Sequence, residues 1–185
     1  MIINLNQVKS LLNLTGTSKD TLISALIPEA EAKYLQIRNY PFHQFYGDIT
    51  KSSKNITGIT LYPSTVRDVN ISNYKSTASF INRMDYLYNS ANSIDNYVTD
   101  VYDMSNSVDI DTASGTTADS VVFTVYPQGS KMTAAKLIQY LMQSNSMSGL
   151  QSESVGSYSV SWKGTGNPYG VPDDIFKSIK RYVAA

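Results

Sequence analysis

Ile94-Asp95-Asn96-Tyr97-Val98-Thr99-Asp100-Val101-Tyr102 is the pivot of this sequence, because its apolar residues satisfy two periods at once. Ile94, Tyr97, Val98, Val101 and Tyr102 fall together on one side of a helix. The same run is rich in Val and Tyr, which favour pleated strands, so it fits a strand equally well. Just before it, Phe80, Ile81, Met84, Leu87 and Tyr88 give another helical pattern. Beyond it, Val108-Asp109-Ile110 and Val121-Val122-Phe123-Thr124-Val125-Tyr126 read as a hairpin around Ser114-Gly115-Thr116. On the other side, Ile56 to Tyr62 alternates weakly, with Ile59 and Leu61 on one face. Tyr40-Pro41-Phe42-His43-Gln44-Phe45-Tyr46 is an aromatic cluster after a helix stop. Residues 40–128 therefore read as a mixed α/β region.

The flanks are clearer. Residues 5–14 form a short helix that Asn4 or Asn6 can cap, with Leu5, Val8, Leu11 and Leu12 as its stripe. Thr15-Gly16-Thr17 breaks it. Thr17 or Ser18 caps a second helix to about Arg38, with Leu22, Ile23, Leu26, Ile27, Ala30, Tyr34 and Ile37 at helical spacing. Pro28 lies inside that helix and is expected to kink or divide it. Residues 1–39 are thus a helical hairpin. In 129–185, a helix over 131–144 carries Ala134, Leu137, Ile138 and Leu141. A last helix begins at Pro172-Asp173-Asp174, with acids at its positive end and Lys177, Lys180 and Arg181 near its negative end. Its stripe is Ile175, Phe176, Ile179, Tyr182 and Val183. The chain is expected to be mainly α: a small helical bundle with a long mixed insertion and a C-terminal strand plus helix.

That strand is Ser152-Glu153-Ser154-Val155-Gly156-Ser157-Tyr158-Ser159-Val160-Ser161-Trp162. Tyr158, Val160 and Trp162 alternate with Ser157, Ser159 and Ser161, and Gly156 offers a bend. Such a strand can add to a neighbour's sheet as readily as to its own.

Composition narrows the function. Fifteen basic and fifteen acidic residues give no net charge, which argues against a dedicated nucleic-acid binder. There is no cysteine, so disulfides, thiolate nucleophiles and cysteine metal sites are excluded. Only 16% of residues are charged, and Ser, Thr, Asn and Tyr fill the gap. Such a surface suits protein–protein contact, though codon bias from an AT-rich genome produces the same composition. Met1-Ile2-Ile3-Asn4-Leu5 lacks a basic region and a long apolar run, so no signal peptide is expected. No stretch reaches membrane-span length.

No constellation supports an enzyme, and no cofactor is expected. His43 is the one histidine, and base catalysis also needs a nucleophile and an orienting partner. Asp109-Ile110-Asp111-Thr112 has the Asp-x-Asp form of some phosphotransferase strands, but its threonine is one position early. It also lacks the glycine and third oxygen donor of an EF-hand loop. Gly129-Ser130-Lys131 has the wrong order for a phosphate loop. Lys177, Lys180 and Arg181 make a small basic spot, read as a solvated helix end or a weak phosphate contact.

In order, these elements resemble the head–tail connector, or adaptor, proteins of long-tailed bacteriophages. The likeness rests on three parts. The first is Leu5-Asn6-Gln7-Val8-Lys9-Ser10-Leu11-Leu12, followed by Asp20-Thr21-Leu22-Ile23 and Ile27-Pro28-Glu29-Ala30-Glu31-Ala32 with Tyr34. The second is the Ala134–Met142 helix. The third is Ser152 to Ser161 with a terminal helix after it. Together they cover about half the chain, and 40–128 departs from the family's short connection.

The resemblance implies a ring, commonly dodecameric, between the portal and a stopper or tail-completion protein. Double-stranded DNA passes through its lumen without specific binding. The protein would be made in the bacterial host cytoplasm and reside in the virion neck. By the same likeness Ile175, Phe176, Ile179, Tyr182 and Val183 would dock on the portal. Val155, Tyr158, Val160 and Trp162 would face the ring or tail. The alternative is another neck or tail protein, such as a stopper or tail terminator, which are mostly β.

Overall fold

The computed structural model describes residues 1–39, 42–49, 53–61, 77–90, 94–112, 118–146, 152–155, 158–161 and 168–179, the two short runs at 152–161 by backbone alone. The chain divides into two compact units. One is made of Met1–Tyr40 and Gly129–Ala185, the other of Pro41–Gln128.

The first unit is helical. α1, Leu5–Leu11, starts in a reciprocal cap: the Gln7 amide donates to Asn4 Oδ1 at 2.9 Å, and the Asn4 amide to Gln7 Oε1 at 3.1 Å. Each bond satisfies a donor that the first turn leaves open. Lys9 Nζ reaches Asp20 at 2.8 Å and the Gly16 carbonyl at 2.6 Å, tying α1 to the next helix. α2, Asp20–Arg38, has Lys19 at its cap position without a side-chain bond, so neither Thr17 nor Ser18 caps it by side chain. It runs unbroken through Pro28, which is exposed. Asn39 ends it in the left-handed region, at φ 62°.

α3, Ser130–Ser146, packs on α1 and α2. Ile23, Ala30 and Ile37 of α2 and Ala134, Leu137 and Ile138 of α3 are fully buried. Burying each larger side chain contributes about 1.5–3 kcal/mol. Tyr34 donates to Ser130 Oγ across this interface at 3.2 Å. α4, Asp173–Ser178, lies on α3.

The second unit overturns the mainly α expectation. It is a closed antiparallel barrel of six strands, in the order β1-β2-β5-β4-β3-β6. These are β1 Gln44–Ile49, β2 Asn55–Leu61, β3 Tyr86–Asn89, β4 Ile94–Tyr102, β5 Ser107–Ile110 and β6 Ala118–Tyr126. Ile94–Tyr102 is therefore a strand, and no helix forms over Phe80–Tyr88. Thr77–Phe80 is instead a 3-10 turn leading towards β3. Nor do Val108–Ile110 and Val121–Tyr126 form a hairpin with each other. β5 lies between β2 and β4, while β6 closes the barrel between β3 and β1.

Inward-facing residues fill the barrel. Phe45 and Phe123 are direct cross-strand partners with stacked rings 6.0 Å apart. Ile56, Ile59, Leu87, Ile94, Val98 and Ile110 surround them. Ala78 and Ile81 join the same core from the 3-10 turn and the residue after it.

The C-terminal strand is also corrected. Ser152–Val155 and Tyr158–Ser161 are two strands, β7 and β8, paired antiparallel as a separate two-stranded sheet. The pairs are Ser152↔Ser161, Glu153↔Val160, Ser154↔Ser159 and Val155↔Tyr158.

Candidate interaction site

The residues expected at interfaces fall into three groups. Ile175 and Ile179, expected to grip a portal, are 3% exposed and belong to the core of their own helical unit. Phe176 is half-buried and stacks on Tyr169, with ring centroids 5.7 Å apart. Thr133 donates to Ser178 Oγ at 3.2 Å, and Ser178 donates to the Ile175 carbonyl at 2.7 Å, which fastens α4 to α3. The helix is too short to persist alone, and its own bundle supplies the surface it needs. Tyr169, like Phe176, is half-buried. Tyr182 and Val183 lie outside the described residues, as do Lys180 and Arg181 of the basic spot. Lys177 is exposed on α4.

The second group is Val155, Tyr158 and Val160, which sit on the β7–β8 hairpin at the register positions given above. Trp162 lies outside the described residues. Alternation places Glu153, Val155, Tyr158 and Val160 on one face of the hairpin and its four serines on the other.

The third group was not singled out in the sequence. Tyr126, Tyr86 and Tyr97 form a row across β6, β3 and β4, each the register partner of the next. Tyr86 lies 5.9 Å from Tyr126 and 5.5 Å from Tyr97. Phe42 packs edge-on against Tyr126 at 4.6 Å. The Tyr86 hydroxyl donates to Asp95. Tyr97, at the end of the row, is 38% exposed. Burial, with the negative charges of Asp95 and Asp111, holds its hydroxyl pKa above the ordinary tyrosine value. The signal available in the sequence was the frequency of tyrosine, fourteen in all.

Asp109 and Asp111 are committed to barrel pairing. Asp109 accepts from Asn55 Nδ2 at 2.8 Å and from the Tyr102 hydroxyl at 2.9 Å. That bond, and then the charge of Asp109, raises the Tyr102 pKa. Asp111 accepts from the amides of Tyr97 at 3.0 Å and Thr112 at 2.9 Å, and from Asn96 Nδ2 at 3.2 Å. Both carboxylates thus act as strand-end acceptors. His43 sits against Phe45 and Phe80, its ring 6.3 Å and 6.1 Å from theirs. Among the described residues, no group of three or more His, Cys, Asp or Glu side chains could hold a metal ion. Nor, among them, is any helix long and apolar enough to cross a membrane.

No protein-family model and no curated protein matches this chain.

Proposed function

We propose that this protein is a structural virion component, a head–tail connector that assembles as a ring between portal and tail-completion proteins. The observation that carries the reading is the make-up of the helical unit. Both ends of the chain build it, with α1 and α2 from the first part and α3, the β7–β8 hairpin and α4 from the last. That is the order of elements on which the resemblance to connectors rests. The absence of net charge supports a conduit role. A lumen that neutralised phosphates would bind DNA and slow its passage. The engaged state of Asp109 and Asp111 supports a non-enzymatic role. The hairpin is the surface offered to neighbours.

The barrel favours a second reading, a stopper or tail terminator, because those proteins are mostly β. Antibody labelling of purified virions separates the two. A connector labels the neck directly beneath the head. Label at the tail-proximal end of the neck supports the second reading, and virions without label contradict both.

A further inference from the structure

The β7–β8 hairpin has a feature that neither unit's core explains. It is a sheet of two strands with four residues each, and an isolated two-stranded hairpin is marginal in water. Among the described residues no third strand joins it. Two residues separate the strands, and in such a hairpin the pair flanking the loop exchanges both hydrogen bonds. Val155↔Tyr158 and Glu153↔Val160 are then the bonded pairs. The backbone amides and carbonyls of Ser152 and Ser154 turn outward along one edge, and those of Ser159 and Ser161 along the other. Neither edge carries the lysine or proline that commonly blunts an exposed strand.

We propose that the hairpins of neighbouring copies join edge to edge, β8 of one copy adding antiparallel to β7 of the next. This rests on the ring reading above and names the contact that closes the ring. The two edges match in length and in the spacing of their outward groups. Repeating the register found within the hairpin sets Ser159 opposite Ser154 of the next copy, and Val160 opposite its Glu153. The alternatives fit worse. Joining β7 to β7 through both outward serines puts the two Glu153 residues directly opposite each other, a like-charge pair that opposes association. Joining β8 to β8 leaves both β7 edges open. A β8-to-β7 contact is heterologous, the class of contact that a ring requires. The serines then form one continuous uncharged face of the assembled sheet.

The chain has no cysteine, so single cysteines report the contact cleanly. Ser154→Cys and Ser159→Cys are made separately in the full chain, concentrated, and oxidised alone and as a mixture. Paired strands hold such residues within the roughly 4.4–6.8 Å Cα separation that a disulfide accepts. The expected result is a cross-linked dimer in the mixture and none from either variant alone. Adding Ser159→Pro to the Ser154→Cys chain should block that chain's β8 edge, so alone it no longer self-assembles, while its mixture with the Ser159→Cys chain still yields the cross-linked dimer. Proline there removes an outward amide and leaves the bonds within the hairpin intact. Dimers from either variant alone, or no cross-link in the mixture, overturn the proposal. A complex with the portal that forms without cross-links removes this contact and leaves the connector reading standing. Cross-links without a portal complex do the reverse.

Discussion

Asp85 is a buried carboxylate, 5% exposed, whose two oxygens are used by different segments. Oδ2 accepts from the Asn82 amide at 2.8 Å and Oδ1 from the Gln128 amide at 3.1 Å. Asp85→Ala strands both donors, and should destabilise the barrel by about 2–3 kcal/mol in urea unfolding. A change under about 0.5 kcal/mol would show that water replaces it. Asn106 has a comparable role. Its left-handed backbone, at φ 50°, suits Asn far better than a branched residue. Its side chain donates to the Ile59 carbonyl and accepts from the Ala78 amide at 2.9 Å. Asn106→Val should therefore cost more than Asn106→Gly by about 1 kcal/mol or more, read from thermal midpoints.

Tyr34 gives a pH prediction in the helical unit. Burial raises its pKa above the ordinary tyrosine value, an effect that its bond to Ser130 and the charge of Arg38 only partly offset. The unfolded tyrosine loses its proton first, so its share of stability is intact below about pH 10 and falls as pH rises through the folded pKa. The loss of stability between about pH 8 and pH 11 should be smaller in Tyr34→Phe than in the native chain. Equal losses would show that Tyr34 does not set the alkaline limit.

At the scale of elements, what was legible follows from period. The helices of the first unit show themselves because their buried residues recur at helical spacing: Ile23, Ile27, Ala30, Tyr34 and Ile37 in α2, and Ala134, Leu137, Ile138 and Leu141 in α3. The barrel hid because its strands carry bulges. In β4 the register shifts between Val98 and Asp100, so the inward residues after Asn96 are Val98 and then Val101. Ile94, Val98 and Val101 thereby fall at the spacing of a helix stripe, and the polar Asn96 occupies the inward position between the first two. In β2, Gly58 takes a left-handed φ of 61°, and Ile56 and Ile59 both point inward. That is why alternation there looked weak. The partners of β6 lie on β1 and β3, and no local pattern announces such closure.

Gly47 marks a close approach of backbone to the barrel core. A Cβ there would stand 2.5 Å from Ile56 Cγ2 and 3.0 Å from the Phe123 ring. Gly47→Ala should cost about 1–3 kcal/mol from overpacking. Replacing the neighbour as well, in Gly47→Ala with Ile56→Ala, should recover part of the clash. Additive losses in the double variant would place the cost elsewhere.

For the whole molecule, the candidate surfaces were only partly readable. Alternation in Ser152–Trp162 pointed to an edge, but not to the two strands that give the hairpin two edges. The apolar stripe of the last helix was visible, but not that Ile175 and Ile179 bury against α3. Burial is a property of the assembled unit, and one helix's sequence does not say which surface covers it. The molecule combines a helical unit made from both chain ends, a paired hairpin within that unit and an inserted barrel. The central claim for it is a structural place beneath the portal. Light scattering of this chain mixed at micromolar concentration with the portal protein of the same virus tests that claim directly. The predicted result is a single complex whose mass equals the portal ring plus a full ring of this chain. Separate elution of the two proteins at their individual masses would contradict it.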